Sequence, residues 1–228
     1  MATVQARYHV RVRWLLLVSS LLLLCCATHP APAVSSQPEK LRPGDASAPP
    51  SLRALPELSK DRSERLHRGL TQAKQVFAAQ LPAAPSERSY DVLSAWVESE
   101  VAHWIDARRD AVEETRFQFK SSAPEPATQV IASAVIGLLQ EDTAHQLAQI
   151  PQPRELDNEP EIAALFHELV LGQADPFQRA ALEEYESCAK AGDEEGGQLQ
   201  RFAKFCKERH HRLAAAEAKQ SQAMQAQR

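Results

Sequence analysis

Three Glu-x-x-His pairs, Glu64/His67, Glu100/His103 and Glu208/His211, are the residues whose types and spacing could do chemistry in this chain. On a helix that spacing sets both side chains on one face, and two such helices joined by glutamates from two others can hold a dinuclear metal centre. The chain has eight histidines, and chance alone supplies roughly 0.7 such pairs, so three is a mild excess. On the helix read below over 90–120, at about 100° per residue, Glu100 lies about 80° and His103 about 140° from the centre of the apolar stripe. A buried metal site needs both pointing inward, so all six residues read as solvated helix faces and no cofactor is expected. His167-Glu168 lacks the second histidine of a zinc-protease helix, and no Gly-x-Ser-x-Gly or phosphate-cradling glycine loop occurs. Asp106-Ala107-Arg108-Arg109-Asp110 reads as a charge-paired helix surface, with the placement of Arg108 alone left open. His210 and His211, among Lys207, Glu208, Arg209 and Arg212, read as an exposed charged face.

The other reactive groups are four cysteines, Cys25, Cys26, Cys188 and Cys206. The last two lie on amphipathic segments either side of a turn, Gly192-Asp193-Glu194-Glu195-Gly196-Gly197. If the first two are lost or modified with a leader, an even pair remains, which in an exported protein suggests a disulfide. Helices ending at Ala191 and restarting at Gln198 would leave the two sulfurs out of level by about 7 Å. Running the first helix through Asp193 cuts the offset to about 4–5 Å, so the bond requires that overrun. The alternative is two small reduced core residues. No Cys-x-x-Cys exists to suggest a redox site.

The elements that would position these groups are helices. Seven glycines in 228 residues and little strand-like alternation favour an all-α fold, a bundle or short repeat-like array of about six helices. The reading is a first helix over 58–80 and a second over 90–120, with Ser89 as its cap. A third over 128–150 is apolar on nearly all sides at Val130–Leu139, as a buried central helix would be. A fourth covers 161–171, and Gly172 and Pro176 then separate it from the cysteine-bearing hairpin. Residues 57–222 are read as this helical domain and 223–228 as a disordered tail.

Residues 1–27 combine Arg7, Arg11 and Arg13 with an apolar run from Trp14 to Leu24 that is too short to span a bilayer, the layout of a secretory signal. Residues 28–56, rich in Pro, Ser and Ala, read as a disordered tether. Removing the leader takes the charge from 26 against 30 to 23 against 30, or −7, which gives no general reason to bind nucleic acid or an anionic bilayer.

Leu23-Leu24-Cys25-Cys26 resembles the bacterial lipobox, which implies lipidation of Cys26; Leu22-Leu23-Leu24-Cys25 offers Cys25 as the alternative acceptor. Ordinary cleavage after Ala27 or Ala33 is the other route. Ala181, Tyr185 and Cys188 resemble the small-aromatic-small stripe on the second helix of a tetratricopeptide repeat, and Phe202 and Phe205 would complete the packing of that hairpin. Paired cysteines on a C-terminal helical hairpin are also similar to those of exported helical-repeat proteins of bacteria. These resemblances imply a lipid-anchored protein facing the periplasm, or a soluble periplasmic or secreted one. The expected function is non-catalytic: an interaction or scaffolding module that holds another envelope protein. The alternatives are a helical metal-binding protein or enzyme built on the Glu-x-x-His helices, and a carrier of a small apolar ligand around Val130–Leu139.

Overall fold

Side-chain caps and prolines set where the helices begin. In the computed structural model, which describes residues 50–58, 63–120 and 125–226, the Ser63 hydroxyl accepts from the Leu66 N–H at 3.3 Å and starts α1 at Glu64–Ala78. Of the helix read over 58–80, Leu58 is not helical and residues 59–62 lie outside the described ones, while a 3-10 turn at Leu52–Ala54 presses Leu52 and Leu55 onto the core. Ordered packing therefore reaches into the stretch read as tether, because leucines at three-residue spacing can share one face. Helix α2 runs from Tyr90–Trp96 through a π-turn at Val97–Val101 into Ala102–Phe119. Ser89 makes no side-chain cap here, and the Tyr90 N–H donates instead to the distant Glu155 carboxylate at 3.1 Å, an anion placed where the helix dipole favours one.

Helix α3 spans Pro126–Leu147, with Pro126 at the first-turn position that needs no N–H donor. Helix α4 spans Pro160–Glu195 and α5 spans Gln200–Ala226. The fold is all-α, with no strand among the described residues, and none of the described helices is long and apolar enough to cross a membrane. Cys25, Cys26, the leader and most of the tether lie outside the described residues. Helix α5 continues through residues 223–226, where a disordered tail was expected, since the Ala- and Gln-rich end consists of good helix formers.

The fourth and fifth expected helices are one element of 36 residues, with Pro176 inside it. Gly172 and Pro176 are both exposed, so the ring displaces no packed neighbour and the carbonyl it deprives of a donor faces water. Pro176→Ala should raise stability by about 1–2 kcal/mol, the restored helix bond being offset partly by a freer unfolded chain. Urea denaturation would show it as a higher midpoint, and an unchanged midpoint would contradict the interior-proline cost.

Central α3 touches every other helix, with hairpins α1/α2 and α4/α5 packed about it. This matches the buried central helix expected from Val130–Leu139. Two apolar clusters form. One joins α1, the end of α2, the first half of α3 and the α4/α5 hairpin, around Leu70, Val112, Phe119, Leu138 and Tyr185. The other joins the start of α2, the end of α3 and the first half of α4, around Trp96, Trp104, Leu147 and Phe177. Along α2 and α3 the change from one cluster to the other falls at Arg108 and at Glu141–Thr143, where the buried charged residues of these two helices are found.

Candidate functional site

That polar layer is the only place among the described residues where several charged groups are buried together. On α2, Arg108 is 2% exposed. Its guanidinium is held by the Asp142 carboxylate, by the Thr143 hydroxyl at 3.1 Å, and by the carbonyls of Val76 and Ala79 at the end of α1. The Val76 carbonyl also accepts from the Ala79 N–H at 3.1 Å, and α1 ends here, so a side chain from the next helix adds a positive charge at its C-terminus, where the dipole favours one. The Trp104 indole N–H also donates to Ala79 at 3.0 Å, and the guanidinium lies 5.5 Å from the Trp104 ring centre. Gln146 completes the group: its Nε2 donates to Asp142 at 2.7 Å and its Oε1 accepts from the Leu81 N–H at 2.6 Å. Burial pushes the Asp142 carboxyl up, opposed by the charge of Arg108 and the bonds from Gln146 and Arg108.

On the next residue of α3, Glu141 faces the other hairpin. Its Oε2 accepts from the Tyr185 hydroxyl at 2.6 Å and from Arg209 Nε at 2.9 Å, and its Oε1 lies 2.6 Å from Arg209 Nη2. Burial and then the negative charge of Glu141 hold the Tyr185 phenol well above its usual range. Burial works against the Arg209 cation, but the charge and hydrogen bonds of Glu141 and Tyr185 outweigh it and raise its pKa. Gly137 makes room for this arrangement, because a Cβ there would lie 2.7 Å from the Tyr185 ring. Arg209 is thus a core residue, not part of the exposed charged face expected for it, while Arg108, whose placement the sequence leaves open, points inward. The stripe Phe202, Cys206, Arg209 and Leu213 could have revealed the first: its spacing of four, three and four puts Arg209 on the packed side of α5.

Cys188 and Cys206 are disulfide-bonded, with Cα atoms 6.1 Å apart. Helix α4 overruns Ala191 as far as Glu195, and Gly196 and Gly197 take positive φ values of 66° and 55° to turn the chain. Cys188 then stands seven residues before the end of α4 and Cys206 six after the start of α5, which brings them level. Ala181, Tyr185, Cys188 and Phe202 are buried and Phe205 half-buried, with the Tyr185 and Phe205 rings edge-to-face at 6.3 Å. Replacing both cysteines by alanine should cost about 3 kcal/mol on the loop-closure account. Because both sulfurs are buried, thiol reagents should leave the folded protein intact, and rapid reduction without denaturant would contradict this packing.

The Glu-x-x-His residues are not brought together. Glu64 and His67 lie exposed on α1, Glu100 and His103 on α2, and Glu208 and His211 on α5. Glu64 pairs with Arg68 at 2.7 Å and Glu208 with Lys204 at 4.0 Å. Among the described residues no three His, Cys, Asp or Glu side chains gather as a metal would require. A cleft of about 220 Å³ opens beside Gln146, between Leu81, Pro82, Trp96 and Pro151. None of Arg108, Glu141, Asp142, Tyr185 or Arg209 lines it. Among the described residues the exposed large apolar side chains are Leu165 (52%) and Leu169 (37%), one turn apart on the first half of α4, and Phe117 (63%) and Tyr90 (37%), far apart on α2.

Compared with known protein families, curated proteins and solved structures, the chain matches none of them.

Proposed function

We propose that this chain is an exported, lipid-tethered helical module of a bacterial envelope that holds another protein and has no catalysis of its own. The observation that carries this reading is the exposed apolar pair Leu165 and Leu169 on a helix whose second half is stapled and packs one face into the core. Exposed leucines one helical turn apart are what a partner surface would cover. The ionisable groups of the core support the reading as well, since each is paired with a partner on another helix. Cys26 is the anchor in this reading and Cys25 its alternative. The α4/α5 hairpin serves as a packing unit of tetratricopeptide character through Ala181, Tyr185 and Cys188.

Cross-linking of the full-length chain in intact cells, followed by purification, tests the reading. A single envelope protein recovered in stoichiometric amount is expected. Recovery of no protein would reject it, and so would copurification of a stoichiometric metal or an extractable lipid in place of a protein. Fatty-acid labelling should be lost in Cys26→Ala; undiminished labelling would move the anchor to another residue.

A further inference from the structure

The surface of α4 carries enough chemistry to name the class of partner, an inference that rests on the protein-holding reading above. At about 100° per residue, Ile162, Leu165, Leu169, Gly172 and Pro176 fall within one arc of about 80°. Val170, Ala174 and Phe177 point elsewhere, into the core. Ile162 is half-buried and the other four are exposed. Glu161, Glu168 and Asp175, seven residues apart, follow one edge of that arc, and all three are exposed. Residues 155–175 contain six carboxylates and neither lysine nor arginine. A third feature lies inside the arc. Pro176 has no N–H, so the carbonyl of Gly172, four residues before it, lacks its helical donor. Gly172 has no side chain to shield that oxygen, and a Cβ placed there would meet nothing within 4 Å.

An apolar stripe, a carboxylate edge and a bare acceptor together fit a helix with leucine-like residues on one face and guanidinium donors beside them. We propose that the face from Ile162 to Pro176 docks a basic amphipathic helix of the partner protein. Apolar side chains of that helix cover Leu165 and Leu169, its arginines run along Glu161 and Asp175, and one of them donates to the Gly172 carbonyl. An anionic bilayer meets repulsion along the carboxylate edge, and a second copy of the chain brings the same carboxylates against each other.

The test uses the full-length exported chain and a fluorescent peptide with leucines at helical spacing and arginines along one flank, beside the same peptide with glutamates for arginines. The arginine peptide should bind at least about tenfold more tightly than its counterpart and weaken steeply with salt. Leu165→Gln with Leu169→Gln should weaken it about tenfold, and Glu161→Gln with Asp175→Asn about threefold to tenfold with a shallower salt dependence. Pro176→Ala, which returns a donor to Gly172, should weaken it about threefold while the fold becomes more stable. All of these positions are at the surface, so unchanged circular dichroism certifies the variants.

Equal binding of the two peptides, salt-independent binding, or full affinity in the glutamine pair overturns the proposal. So does binding to phosphatidylglycerol vesicles that the glutamine pair abolishes, or a wild-type dimer that the same pair dissolves. Undiminished affinity in Pro176→Ala overturns the part given to the carbonyl. A cellular partner still captured by the glutamine pair overturns this face and leaves the protein-holding reading intact. Peptide binding as expected with no partner captured by wild type does the reverse.

Discussion

Arg108→Met is expected to lower stability by about 3–5 kcal/mol at neutral pH, and much of that loss should return on acidification. The guanidinium is the partner of the buried Asp142 and the cap of the α1 carbonyls at Val76 and Ala79. Without it, the buried carboxylate keeps Gln146 as its remaining donor. Burial already pushes the Asp142 carboxyl up, and Arg108 is the main force opposing that. In the variant the folded-state pKa therefore rises further above the unfolded value. The folded protein then binds more protons than the unfolded one in the window above the ordinary Asp range, so stability falls as pH rises through it and recovers as pH falls. Asp142→Leu should cost a similar amount with no such recovery, because a buried guanidinium cannot discharge. Combining the two should regain most of the loss, short of the α1 cap. Urea denaturation between about pH 5 and pH 8 reads all three. A single variant within about 1 kcal/mol of wild type would show that the pair carries no structural weight.

Glu141→Leu should have the largest effect of any single change, about 4–6 kcal/mol, because it strands a buried cation and a buried hydroxyl together. Arg209 and Tyr185 come from different helices and meet on this one carboxylate. Tyr185→Phe separates the contributions. It should cost about 1–2 kcal/mol at neutral pH, since Glu141 keeps Arg209. It should also change the alkaline behaviour. The folded phenol titrates well above its usual range, so its contribution is fully present below the unfolded value near pH 10 and is lost as pH rises beyond it. Denaturation midpoints that fall across this range in wild type and less steeply in Tyr185→Phe would bear this out. An identical slope in both would exclude Tyr185 as the source.

Helical periodicity carried the reading of α2 and of the central run Val130–Leu139, because an apolar stripe, or an apolar surface on all sides, reports directly on burial. It failed at Gly172 and Pro176, whose punctuation is a cost rather than a prohibition, and one that falls lightly on a solvent face. It failed more instructively at Arg209 and left Arg108 open. A pattern of types assigns a charged residue to water unless its partner is known, and these partners lie 34 and 68 residues away. The disulfide was legible from the cysteine count and an expected export, but its geometry waited on how far α4 continues past Ala191. The Glu-x-x-His pairs show the converse: local spacing can satisfy a motif on three helices that never converge.

The neighbouring carboxylates of Glu141 and Asp142 also settle a question that the apolar run before them leaves open. A helix greasy on every side has no preferred azimuth about its own axis. These two side chains, about 100° apart, meet guanidinium groups from opposite hairpins. Turning α3 by a single residue would present Asp142 to Arg209 and carry Glu141 away from Tyr185, while Arg108 would find no anion. The two pairs thus index the central rod, setting its rotation and its height at once, so that a core which could pack in many ways closes in one.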